Sequence, residues 1–126
     1  MNKEIISTSN APAAIGPYSQ GISLENLIFV SGQIPVNAEN GELPVAIKEQ
    51  TKQSMKNLQN ILKEAGSSLD DVVKVTIFIT DLSNFTDVNE VYGSFFTGNY
   101  PARSCVEVSK LPKGVGIEIE AIALRK

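Results

Sequence analysis

A chain of 126 residues with 42% hydrophobic and 20% charged residues has the composition of a globular protein, and its length fits a single domain over residues 1–126 that buries roughly 65% of its unfolded surface. Its longest apolar runs are four residues (27–30 and 121–124), against about 18 for a membrane-spanning helix, and a net charge of −3 with a pI near 4.9 offers no basic face to a nucleic acid. There is no histidine, which removes Ser-His-Asp and Cys-His catalysis and most zinc sites.

The opening MNKEIISTSN lacks the apolar stretch of a secretion signal, and the one cysteine, Cys105, cannot form an internal disulfide. The chain therefore reads as cytoplasmic. Residues 11–21, APAAIGPYSQG, hold two prolines and two glycines and read as a structured loop. Residues 22–24 and 27–31 are short β-rich runs around Glu25-Asn26, so a hairpin is expected, ended by Gly32 and Pro35 and followed by a turn at residues 37–41.

A helix is predicted from about Pro44 to Ala65. Ile47, Thr51, Met55, Leu58, Ile61 and Leu62 recur on one face, and Gly66 supplies the stop. In VVKVTIFIT, residues 72–80, Val73, Val75, Ile77 and Ile79 alternate with Lys74, Thr76, Phe78 and Thr80, which is the strand pattern. A second helix is predicted over about residues 84–97, with Phe85, Val88, Val91, Tyr92, Phe95 and Phe96 as a core stripe. Two closing strands, 102–108 and about 115–124, flank the turn SKLPKG. The order β-β-α-β-α-β-β makes an α+β fold, one sheet with two helices on one face.

Period two puts Arg103, Cys105 and Glu107 on one side of their strand, and Ile117, Ile119, Ala121 and Ala123 on one side of the last. Sending the Ile/Ala and Val sides to the helices leaves Arg103, Cys105, Glu107, Glu118 and Glu120 on the other face, with Phe78, Ile122 and Leu124. That mixed face is either solvated or a subunit interface, and its apolar members favour the interface.

Several residues could carry chemistry, each with a plainer reading. Arg103 is a surface charge or a bidentate partner for a small carboxylate. Glu118 is one arm of an ion pair or a proton carrier in a chain without histidine. Cys105 is a small buried hydrophobe before it is a nucleophile. Tyr18 plugs a core edge or lines a pocket. Ser31 lacks a histidine base and suits a hydrogen-bonding role.

The segments APAAIGPYSQG, FVSGQIP, NLQNILKEAG, VVKVTIFITDL, YPARSCVEVSKLPKG and IEIEAIA strongly resemble, in order and over essentially the whole chain, the Rid or YjgF family. The match is closest to its RidA branch of 2-iminobutanoate/2-iminopropanoate deaminases. Pro-Ala-Arg-Ser-Cys-Val-Glu is the most specific block, because an arginine there marks the deaminating branches. The resemblance implies a chorismate-mutase-like fold, a homotrimer with sites in clefts between subunits, a small 2-imino acid as substrate, and neither metal nor cofactor. It implies that Arg103 binds the substrate carboxylate and that Glu118 handles water. Tyr18, Ser31 and Gly32 would line the pocket, Cys105 would offer its main chain, and Asn89 would add a contact. The loop TGNYP before Pro101 is shorter than in some relatives. A binding module or chaperone on the same trimer is the rival reading. An endoribonuclease role, proposed for relatives, sits poorly with the acidic pI and missing histidines.

Overall fold

The computed structural model describes residues 2–125, and its six strands form one sheet. They are β1 (Lys3–Ile6), β2 (Gly21–Leu24), β3 (Leu27–Gln33), β4 (Val72–Ile79), β5 (Ala102–Glu107) and β6 (Ile117–Leu124), in the order β1-β2-β3-β6-β4-β5. Helix α1 (Ile47–Glu64) joins β3 to β4, and α2 (Phe85–Gly93) joins β4 to β5, the one parallel pair. No helix among the described residues is long and apolar enough to cross a membrane.

The core lies between the helices and one sheet face. Met55, Leu58, Ile61 and Leu62 of α1 are fully buried, as are Ile28, Val75, Ile77, Ile79, Ile117, Ile119 and Ala123 of the sheet. The expected face of β6 is therefore the buried one. Helix α1 ends as expected, with Gly66 in the left-handed region at φ 78° and its N–H donating to the Lys63 carbonyl. It starts at Ile47, three residues after Pro44, whose carbonyl instead accepts from Gln50 Nε2 at 2.9 Å.

Other expectations are corrected. The strand β1 was not foreseen: three of its four residues are exposed, so it carries no alternating pattern. The second helix closes at Gly93 and not at Thr97. Gly93 is a poor helix former, and Phe95 and Phe96 continue as tight turns whose N–H groups reach carbonyls only three residues back. In β4 an irregularity between Val72 and Lys74 buries Val72 and leaves Val73 exposed, opposite to the simple alternation. Strand β3 runs through Gly32 to Gln33, with a bulge between Val30 and Gln33. Val30 and Gln33 both bury, so Ser31 and Gly32 are the pair turned away from the helices.

The largest correction concerns β5. Its register pairs Arg103 with Val75, Cys105 with Ile77 and Glu107 with Ile79, all on the helix side. Val106, expected inside, is 43% exposed. Glu118 pairs with Phe78 and Glu120 with Thr76 on the opposite, helix-free face, beside Phe29, Ile122 and Leu124. Arg103 and Glu118 therefore do not share a face. An edge strand beside the short α2 can turn a polar side inward, because Arg103 finds partners there.

The loop after β3 is held by Asn57 of α1, which is 1% exposed. Its Nδ2 donates to the carbonyls of Ile34 (3.1 Å) and Val36 (2.9 Å), and its Oδ1 accepts from Gln53 Nε2. Asn57→Ala removes both bonds; the Ile34 carbonyl keeps the Val36 N–H, but the Val36 carbonyl loses its partner, so a loss of about 1–3 kcal/mol is expected, read as a lowered midpoint in thermal or urea unfolding.

Candidate functional site

Two clefts hold the candidate residues. The first opens between α2 and the segment before β5. Asn89, Tyr92, Gly93, Tyr100, Pro101 and Arg103 line about 440 Å³ of space. Arg103 is half-buried here. Its Nη1 donates to Asn89 Oδ1 at 2.7 Å, and its guanidinium carbon lies 5.1 Å from the Tyr92 ring centre and 5.5 Å from that of Phe85. No carboxylate pairs with it among the described residues, and its remaining side-chain N–H groups have no protein acceptor there. A cation held by π faces and one neutral amide keeps both its charge and its donor edge for a ligand.

Cys105 lies two residues along on the same face and packs against the core. Burial pushes its thiol pKa up and outweighs the nearby Arg103 charge, which pulls the other way. This is the setting of an inert thiol. Burial likewise pushes Tyr92 up to about 12 against the pull of Arg103, and its hydroxyl has no hydrogen-bond partner among the described residues.

The second cleft, of about 450 Å³, lies between the 12–18 loop, the end of β3 with the loop after it, and the turn at Pro112-Lys113. Tyr18, 52% exposed, and Gly32 both line it. Ser31 ties the two segments together: its N–H donates to the Gln20 carbonyl at 2.9 Å and its Oγ to the Ser19 carbonyl at 2.5 Å. With its proton so used, the Ser31 oxygen keeps lone pairs for an N–H donor.

Glu118 lies directly over Gly32. A Cβ on Gly32 would stand 2.7 Å from Glu118 Cδ and closer still to Oε2, so the Glu118 carboxyl keeps this position only over a glycine. Burial, and secondarily the Glu120 charge, raise the Glu118 pKa above its ordinary value of 4.5. A half-buried carboxyl with a raised pKa is suited to exchanging protons.

The structure thus brings Tyr18, Ser31, Gly32 and Glu118 together, and separately Arg103, Asn89 and Cys105. The two sets stand apart within the chain. From Glu118 to Val106 is two strand spacings, and from Val106 to Arg103 three residues, so the two Cα atoms are about 14 Å apart with side chains on opposite faces. Sequence reasoning treated Phe85 and Tyr92 as core only. The signal for their contact with Arg103 was Asn89, a polar residue inside an otherwise apolar stripe. No group of three or more acids or thiols converges as a metal site among the described residues.

Comparison with known proteins gives a consistent picture. Residues 8–125 match the family described as Endoribonuclease L-PSP. The chain is 54% identical over 124 residues to the 2-iminobutanoate/2-iminopropanoate deaminase of Escherichia coli strain K12, covering 96% of this chain and 97% of that protein. The crystal structure of the E. coli YjgF gene product superposes with a TM-score of 0.95 at 52% identity, covering 98% of this chain and 99% of that one. E. coli TdcF with bound serine superposes equally well, at a TM-score of 0.95 and 50% identity over 98% of this chain and 99% of that one. With sequence and fold matched from end to end, the chain belongs to the Endoribonuclease L-PSP family, the Rid or YjgF family that its motifs resemble.

Proposed function

We propose that this protein hydrolyses reactive 2-imino acids, 2-iminobutanoate and 2-iminopropanoate, to 2-oxo acids and ammonium, at sites completed between the copies of a homotrimer. The observation that carries the activity is the near full-length likeness to the E. coli deaminase. The geometry adds a reason for the assembly. The carboxylate and C2 of a 2-imino acid are bonded neighbours, so its clamp and its water-activating group must converge within a few ångströms. In one chain they lie about 14 Å apart on opposite sheet faces. A second copy bringing its Glu118 cleft to the Arg103 cleft of the first satisfies both. The mixed apolar and acidic face then becomes contact surface.

In this site Arg103 holds the substrate carboxylate through its free edge, oriented by Asn89. Ser31 Oγ accepts from the iminium N–H. The Glu118 carboxylate takes a proton from water as the oxygen bonds to C2, then gives it to the nitrogen. It next takes the hydroxyl proton as the C–N bond breaks, and ammonia collects that proton as ammonium. Tyr18 closes the rim, and Gly32 and Cys105 present main chain. The substrate is already electrophilic, so positioning and proton transfer suffice. We take the protein to act in the cytoplasm, where its one thiol stays reduced.

The test generates 2-iminobutanoate in situ from threonine and a threonine dehydratase, with semicarbazide as trap. Added protein should speed 2-oxobutanoate release and lower the semicarbazone yield. A folded protein without effect on either would remove turnover and leave only small-carboxylate binding.

A further inference from the structure

Phe85, Asn89 and Tyr92 stand at i, i+4 and i+7 on α2, one stripe of the helix, and all three meet the Arg103 guanidinium. Tyr92 is braced from behind. Its ring packs on Phe96 with centroids 5.0 Å apart, and Phe96 packs on Tyr100 at 6.0 Å. Tyr92 is only 4% exposed, yet its hydroxyl bonds to nothing among the described residues. No hydrogen bond among the described residues uses the phenol oxygen. What the residue gives its surroundings is a ring face, 5.1 Å from the guanidinium carbon.

We propose that Tyr92 is a positioning residue for Arg103: its ring is the platform that fixes the guanidinium plane and leaves the donor edge free for the substrate carboxylate, which Tyr92 itself does not touch. A carboxylate partner in place of the ring would hold Arg103 as firmly but would neutralise it and occupy its N–H groups. An aliphatic side chain would fill the volume without ordering the cation. The row Tyr92–Phe96–Tyr100 makes the platform rigid up to the cleft wall. The proposal rests on the carboxylate role given above to Arg103.

The experiment measures binding of 2-oxobutanoate by titration calorimetry, and KM and kcat for the imine, on full-length protein. Tyr92→Leu should weaken 2-oxobutanoate binding and raise KM by about tenfold, with kcat within about twofold, because the lost interaction is made in ground and transition state alike. Tyr92→Phe, which keeps the ring, should restore both constants. If Tyr92→Leu does not fold, Tyr92→Met removes the π face with a flexible side chain that can refill the site. Wild-type affinity in the ringless variant, or a loss in Tyr92→Phe equal to that in Tyr92→Leu, overturns the proposal. Arg103→Ala separates the premise: affinity lost there but kept in Tyr92→Leu sinks the platform alone, whereas full affinity in Arg103→Ala sinks the carboxylate role and the platform together.

Discussion

Arg103→Ala should lower kcat/KM for the imino acid by about 10²–10⁴-fold while the protein stays folded. Two charge-assisted hydrogen bonds to a carboxylate are worth about 1.5–3 kcal/mol each, and every 1.4 kcal/mol is tenfold. Folding should survive because Arg103 sits on an edge strand in no ion pair among the described residues, and its removal costs one hydrogen bond, to Asn89 Oδ1, and two contacts with ring faces. Arg103→Lys should recover little. An ammonium cannot make the two-pronged contact, and it holds its own hydration more tightly. The same variant tests where the site is made. Co-expressed Arg103→Ala and Glu118→Gln chains should regain activity that neither has alone. In random cyclic trimers about three quarters are mixed, and each mixed trimer carries one intact Arg103–Glu118 pairing in three, so about one quarter of wild-type activity is expected. No recovery in trimers shown to be mixed would sink the shared site.

What could be read from the sequence follows from what periodicity measures. Helix α1 and strand β6 were legible because each buries one side, and their apolar residues recur at 3.6 and 2.0. Period two also says that Arg103, Cys105 and Glu107 share a side. It does not say which side meets the helices. Polarity suggested the open face, and the structure reverses this because Tyr92, Phe85 and Asn89 make a berth for one cation. The bulge at Ser31-Gly32 left no periodic trace either. Only the glycine hints at it, and its reason lies in Glu118, 86 positions further on, whose carboxyl fills the space a side chain would take. Glu118 was read on its proper, helix-free face, so the reversal of Arg103 alone puts the two residues on opposite faces, and that separation is what the proposed site between two copies answers.

Gly32→Ala should reduce kcat by about 10²-fold with little change in unfolding temperature. The added methyl meets the end of a flexible side chain and not backbone, so Glu118 can swing aside at small cost to the fold. Its carboxyl then leaves the position proposed above for handling water, and a displacement of about 1 Å costs on that order in rate. Glu118→Gln should cost about 10²–10⁴-fold, since it cannot take the proton at all. The pH profile distinguishes the two variants. Water attack needs ionised Glu118, so wild-type kcat should rise with pH along a limb set above 4.5, the ordinary value, because burial and the Glu120 charge both favour the protonated form. Glu120→Gln removes the second cause and should move the limb downward. Glu118→Gln should abolish it. In Gly32→Ala a limb should persist, moved toward the ordinary value as the displaced carboxyl gains water. A Gly32→Ala protein with wild-type kcat and an unmoved limb would mean that the contact between this glycine and Glu118 plays no part in the reaction.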